Sequence, residues 1–261
     1  MDITSLIGPW LSLLLVLGPL FVAERWIHQH SYGVGYLLTG DKGAATGFYY
    51  LVFFPGVFLH EFTQYLVAGI LNVPLKKLEP RLQEQDSGTL RYDFVTIDTK
   101  KTDTLKASII GGVPFILAGF LVYYISTAIL DLHILLEALG TYDLPTITSA
   151  LQAQFNTPDF WFWLYILFAI SNGMIPTKED RAGWGLIVVV IGVISIAFLV
   201  IGLDDVLVET LDGPVREGLQ TVTTILSIIL VLDFTAILIL GITEDTLERM
   251  RGFKTVSYTH L

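Results

Sequence analysis

The sequence predicts an all-α membrane protein that crosses the bilayer several times. Of its 261 residues, 53% are hydrophobic and 15% are charged, whereas a soluble domain carries roughly a quarter charged residues. The apolar residues form runs of about 17–26 residues, and about 20 apolar residues in a helix cross the hydrocarbon core of a bilayer. The chain has no cysteine and a net charge of −10. This composition excludes a disulfide-stapled secreted domain and argues against a nucleic-acid partner.

Six apolar runs define the predicted spans of a single membrane domain over residues 1–261. They are residues 5–23, 48–73, 107–130, 160–176, 185–203 and 221–241. The first run has no basic residue before it, unlike a signal peptide, so we interpret it as a retained helix. Two short apolar stretches within residues 131–159 predict short helices at the outer membrane interface.

The distribution of lysine and arginine predicts the orientation of the spans. The N-terminus, the 74–106 and 177–184 loops and the C-terminal tail carry 12 basic residues in total, whereas the three loops on the other side carry 3. Basic residues concentrate in cytoplasmic loops. We therefore expect both termini and the 74–106 loop to be cytoplasmic, in a chain whose simple organisation is typical of a prokaryotic inner membrane protein.

The 74–106 loop has a pattern of its own. From Leu90 to Phe94, apolar residues alternate with charged ones, as in a half-buried strand. The triplet from Asp86 to Gly88 comes just before and is typical of a turn. A small cytoplasmic β-hairpin is therefore predicted at about residues 76–98, between the second and third spans.

The second predicted span carries His60 and Glu61 side by side near its middle. An ionisable side chain at that depth costs about 2.5–3.5 kcal/mol, so it needs a partner or a function. Gln64 follows His60 by four residues and shares its helix face. In the H-E-x-x-H motif, two histidines at this spacing bind zinc and the glutamate is the general base. Here Gln64 replaces the second histidine, and an amide oxygen is a poorer zinc ligand than an imidazole nitrogen.

A second polar group follows the fourth predicted span. Asn172 lies near the end of that span, Pro176 comes next, and Asp180 stands just beyond it. Proline ends or kinks a helix, and an asparagine can satisfy the backbone groups that such a break frees.

Together these residues resemble the site-2 protease family of intramembrane zinc metalloproteases. In that family one membrane helix carries H-E-x-x-H, and a later helix carries an asparagine, a proline and an aspartate. The resemblance extends from about Gly47 to Asp180, and includes the small residues at Ala68–Val73 and the stretch Gly111–Pro114.

The resemblance implies a role for each matching residue. His60 and Asp180 would be zinc ligands, with Gln64 at the position of the remaining ligand. Glu61 would be the general base, and Asn172 would shape the loop beside the metal. Three explanations of Gln64 stay open: an inactive pseudoprotease, an altered site that uses the Gln64 amide oxygen, or a one-base sequence error.

Three functions compete at this point. The first is a zinc metallopeptidase that cleaves membrane-spanning protein or peptide substrates near the cytoplasmic leaflet of the lipid bilayer. The second is an inactive pseudoprotease that binds membrane helices. The third, with least support, is a transporter or channel that uses Glu61, Asp180 and Asp233.

Three further polar residues belong to neither motif. His28 and His30 fall in the predicted 24–47 loop, where we expect ordinary polar loop residues on the side opposite the zinc motif. Asp233 lies inside the sixth predicted span. It is either functional or hydrogen-bonded to a neighbouring helix, and the sequence leaves both open.

Overall fold

The structure, a computed structural model, describes residues 3–84, 90–97, 102–173, 180–181 and 184–252. Most of these residues lie in helices. The helices are α1 (Ile3–Thr39), α2 (Lys42–Ile70), α3 (Thr104–Tyr124), α4 (Leu132–Gly140), α5 (Leu144–Phe155), α6 (Phe160–Gly173), α7 (Trp184–Ile201), α8 (Asp204–Thr210) and α9 (Arg216–Arg251). One π-helical turn extends α3 over Ile125–Ile129, and another joins α8 to α9 over Leu211–Val215.

The described helices identify an integral membrane protein. Four helical segments are long and apolar enough to cross a bilayer. They are Ile7–Thr39, Lys42–Ile70, Thr104–Ile129 and Asp205–Arg251. Two shorter apolar helices, Phe160–Gly173 and Val189–Ile201, accompany them. The last three residues of the predicted 160–176 span, including Pro176, lie outside the described residues.

The predicted 24–47 loop is wrong, because α1 continues as a helix to Thr39. Only Gly40 and Asp41 separate it from α2. Gly40 has a φ of 72°, which ends α1, and the Asp41 side chain accepts a hydrogen bond from Ala44 N at 2.8 Å, which caps α2. The loop was predicted because the end of α1 is more polar than its beginning. The helix persists because polar side chains there have buried partners on neighbouring helices.

Helices α1 and α9 pack side by side and run parallel. Trp26 of α1 lies against Gly241 of α9. Farther along both helices, His30 Nε2 is 3.7 Å from Glu244 Oε2. At their ends, Arg251 Nη2 donates to the carbonyl of Leu38 at 2.8 Å. Arg251 therefore lies beside the end of α1, about 55 Å along that 37-residue helix from its beginning.

This pairing does not agree with the predicted topology. Six alternating spans would make the first and last spans antiparallel and would place both termini on one side. A parallel pair of crossing helices requires an odd number of crossings, so the α1–α9 pairing predicts that the two ends of the described chain lie on opposite sides. Arg251, one of the basic residues counted for the C-terminal end, lies beside the end of α1.

Two strands lie between α2 and α3. Strand β1 (Leu75–Glu84) pairs antiparallel with β2 (Leu90–Ile97), with Leu75 opposite Ile97 and Glu84 opposite Leu90. The pairing has irregularities between Leu75 and Lys77 and between Leu78 and Arg81. The residues of the predicted turn, 86–88, lie outside the described residues.

Helix α6 packs directly on α2, and Pro55 of α2 leaves a backbone carbonyl that α6 can hydrogen-bond. Pro55 has no N–H to donate to the carbonyl of Leu51, four residues earlier. Tyr165 of α6 donates its hydroxyl to that carbonyl at 2.6 Å. Because lipid offers no hydrogen-bond donor, this bond satisfies the freed carbonyl and ties the two helices together.

Glycines let the two helices approach until their backbones touch. A Cβ atom built on Gly56 of α2 would overlap the carbonyl of Ala169 on α6. One built on Gly173 of α6 would lie 2.7 Å from the carbonyl carbon of Gly56. Small residues allow such close approach in membrane bundles, where van der Waals packing drives helix association. The contact lies one helical turn before His60.

We expect Gly56→Ala to destabilise the protein, because the added methyl group has no space without displacing α6. The cost of such overpacking is about 1–3 kcal/mol. Thermal or denaturant unfolding in detergent measures it. The matched control is Gly69→Ala on the same helix, where no atom lies within 4 Å of the added Cβ. Equal stability of the two variants would mean that the α2–α6 contact is not tight.

The parallel α1–α9 pair predicts the sidedness of three positions. Cysteines introduced at Lys42 and Met250 should react with an impermeant thiol reagent from the same side of the membrane, because both lie at the α1–α2 junction. A cysteine at Thr104, near the other end of α2, should react from the opposite side. The native chain has no cysteine to interfere. Labelling of positions 250 and 104 from one side would contradict the arrangement.

Candidate functional site

Helix α2 carries three buried polar residues on adjoining faces. These residues, which are 4%, 5% and 5% exposed, are His60, Glu61 and Gln64. His60 and Gln64 are one turn apart and share a face, as the sequence predicts. The α2–α6 contact at Gly56 lies one helical turn before His60.

Asp180 reaches the same face from the turn before α7. It is 7% exposed and packs against Gly111 of α3. A Cβ atom built on Gly111 would lie 2.7 Å from the Cα atom of Asp180. Gly111, two turns into α3, therefore makes room for the backbone of Asp180.

The side chains of His60, Gln64 and Asp180 converge. Gln64 Nε2 donates to Asp180 Oδ1 at 2.6 Å. It also lies 3.0 Å from His60 Nε2, which accepts a second N–H when the imidazole carries its proton on Nδ1. His60 Nε2 is 3.6 Å from Asp180 Oδ2. Residues 116 positions apart in the sequence thus form one buried polar cluster.

Two of the three side chains suit a zinc ion. Zinc with bonds of about 2.0–2.1 Å in tetrahedral geometry keeps its ligand atoms about 3.3 Å apart, close to the 3.6 Å between His60 Nε2 and Asp180 Oδ2. Gln64 could contribute only its amide oxygen, after a rotation that exchanges its oxygen and nitrogen. Among the described residues, no group of three His, Cys, Asp or Glu side chains could hold a metal ion. A metal here would therefore need the weaker amide ligand.

Asn172, in the last turn of α6, lies in a second buried polar cluster. Its Nδ2 donates to Asp233 Oδ1 at 2.9 Å and to the carbonyl of Phe168 at 3.1 Å. Its own carbonyl lies 3.3 Å from His28 Nε2. His28 Nδ1 is in turn 2.5 Å from the Tyr49 hydroxyl. Helices α1, α2, α6 and α9 each contribute a polar group to this cluster.

The second cluster changes the interpretation of two residues. His28 was expected in a polar loop, but it is 7% exposed and lies between helices. Asp233, which the sequence left open, is hydrogen-bonded to Asn172 of a neighbouring helix and is 1% exposed. The pairing could not be inferred from the sequence, because 61 residues separate the two partners.

The sequence analysis also missed the residues that bring α6 against α2. Pro55 and Gly56 stand in the middle of an apolar run, a combination that marks a helix break or a close backbone approach. That signal was present and could have indicated the contact. Tyr165 had no such signal, since its role depends on the carbonyl that Pro55 frees.

No family model, curated protein or solved structure matches the chain. Its function is therefore inferred from the residues and their geometry.

Proposed function

We propose that this chain is a site-2-protease-like intramembrane zinc metallopeptidase with an altered second ligand, Gln64. The observation that carries the proposal is the convergence of His60, Gln64 and Asp180 inside a membrane bundle. Burying an imidazole and a carboxylate at that depth is costly, and a metal ion would offset the cost. The resemblance to the protease motif points to these three residues. The 3.6 Å between His60 Nε2 and Asp180 Oδ2 suits two ligands of one ion.

Each residue has a definite task under this proposal. His60 would bind through Nε2 and Asp180 through its carboxylate, with the Gln64 amide oxygen as the weak ligand. Zinc, when bound, supplies a Lewis acid that lowers the pKa of water toward about 7. Glu61, buried beside His60, would take a proton on its carboxylate and return it to the amine that leaves. Asn172 would support the segment that carries Asp180.

The substrate would be a peptide bond of a membrane-spanning protein or peptide. His60 lies ten residues before the end of α2, about 15 Å from the end that carries β1 and β2. The 74–106 segment at that end contains seven of the 15 basic residues, so we place that end in the cytoplasm. A strand edge there could align an extended substrate by main-chain hydrogen bonds. The host would be a prokaryotic inner membrane.

A specific contact favours a second function. Gln64 donates to Asp180 and lies within hydrogen-bond distance of His60, so the amide can satisfy the would-be ligands without a metal. A buried polar cluster satisfied in this way is stable by itself. The chain would then be a pseudoprotease that binds a membrane helix without cleaving it. Zinc content per chain in detergent-purified protein separates the two functions.

We expect Gln64→His to raise zinc affinity, because an imidazole would replace the weak amide ligand and remove the hydrogen bond that competes for Asp180. Isothermal titration with zinc, together with the metal content of dialysed protein, measures the effect. Gln220→His, at an exposed position of α9, controls for zinc binding by an added histidine. If both variants bind zinc as the wild type does, the ligand assignment is wrong.

We expect Glu61→Gln to abolish cleavage of a model membrane peptide while zinc binding is retained, because Glu61 moves a proton and is not a ligand. Glu217→Gln, exposed on α9, is the matched control and should cleave normally. In a pseudoprotease, the same Glu61 change should leave thermal stability unchanged or slightly higher, because it removes an ionisable group from the bundle. A large loss of stability would contradict both functions and would make Glu61 a structural partner.

A further inference from the structure

We propose that Asp233 and His28 are positioning residues, which hold Asn172 in the last turn of α6 and thereby help to keep Asp180, eight residues later in the chain, beside His60 and Gln64. Their effect on metal binding rests on the proposed function. Their effect on the position of Asp180 does not. Neither residue belongs to the motifs that resemble the protease family.

Asp233 holds the side chain of Asn172. Its Oδ1 accepts from Asn172 Nδ2 at 2.9 Å, and the two residues are 1% and 4% exposed. A carboxylate buried in this way inside an apolar helix is costly. The hydrogen bond compensates part of that cost and joins α9 to the last turn of α6. Because α6 ends at Gly173, the bond restrains the last turn of α6, and Asp180 follows Gly173 by seven residues.

His28 holds the backbone of the same residue. Its Nε2 is 3.3 Å from the carbonyl oxygen of Asn172. The imidazole ring is itself fixed on α2, because its Nδ1 is 2.5 Å from the Tyr49 hydroxyl and its ring stacks on Phe53 at 4.4 Å between centroids. Tyr49 and Phe53 lie on the helix that carries His60. The end of α6 is thus located relative to α2 through α1.

These two contacts complete the restraint that the glycines begin. Gly56 and Gly173 fix how closely α6 approaches α2, and the Tyr165 hydroxyl ties an earlier turn of α6 to α2. The contacts from α9 and α1 add a restraint on the last turn of α6, at Asn172. The requirement is strict, because Asp180 must come within 2.6 Å of Gln64, and a metal site tolerates errors of only about 0.5 Å.

The first test measures metal affinity with Co²⁺, whose visible absorption reports its ligands. Asp233→Leu removes the acceptor of the Asn172 side chain and should weaken Co²⁺ binding measurably, because Asp180 would be held less accurately. Asp233→Asn keeps an acceptor oxygen and should bind within a few-fold of wild type. Thr235→Val, at an exposed position on the same helix, is the control and should show no change.

The second test measures position without any metal. Because the chain has no cysteine, nitroxide labels can be placed on Ile70→Cys of α2 and Arg181→Cys beside Asp180. Pulsed electron resonance then gives the distance distribution between them. Asp233→Leu should broaden or shift this distribution, and Asp233→Asn should restore the wild-type one. Asn172→Leu should have the same effect as Asp233→Leu, because each substitution removes the hydrogen bond between these two side chains. The double variant should therefore show no further change.

The two tests fail in different ways. An unchanged distance distribution in Asp233→Leu overturns the positioning role, whatever happens to Co²⁺ binding. If wild-type protein binds no Co²⁺ but the distribution responds to Asp233→Leu, the metallopeptidase proposal fails and the positioning role stands. Circular dichroism and gel filtration establish that each variant is folded. A loss of fold in Asp233→Asn would overturn the positioning role, because that variant keeps the acceptor.

Discussion

The backbone contact between α2 and α6 governs the arrangement of the polar residues around it. Lipid supplies neither a hydrophobic drive for helices to associate nor hydrogen bonds for exposed backbone groups. The chain meets both conditions at one place: Pro55 frees a carbonyl that Tyr165 satisfies, and Gly56 lets α6 touch α2. Asp180 follows α6 by seven residues and lies against the same helix, α2, that α6 contacts at Gly56. The polar residues of α2 lie close to α6 because Gly56, one turn before His60, has no side chain to keep α6 away.

The buried polar residues form two clusters with different characters. In the first, the Gln64 amide lies between an imidazole and a carboxylate, and its two ends offer opposite chemistry. The nitrogen end donates and stabilises the cluster without a metal, whereas the oxygen end could bind one. Metal binding would therefore compete with the hydrogen bond from Gln64 Nε2 to Asp180 Oδ1 at 2.6 Å.

In the second cluster, helices distant in the sequence share one buried residue. Asn172 receives contacts from α1 and α9 while its own helix packs on α2. The parallel α1–α9 pair brings His28 and Asp233 to the same residue of α6. Polar groups that hydropathy assigns to a loop thereby become part of the bundle, and α1 remains helical as far as Thr39. Pairing across helices explains why an apolar bundle tolerates them.

The sequence by itself determined the membrane class, the approximate positions of the apolar helices and the residues of the α2 motif, because hydrophobic run length and helical spacing are local properties. It also named Asp180 and Asn172, through resemblance to a motif. It was wrong about the end of α1 and about the relation between the first and last helices. Both depend on partners such as Tyr49 and Glu244, which lie far away in the chain. Only the tertiary structure decided that Gln64 contacts both His60 and Asp180, and that Asp233 pairs with Asn172. The packing of the helices decides which side chains meet. The pattern of polar and apolar residues along the chain does not specify these pairs, because the partners lie far apart in the sequence.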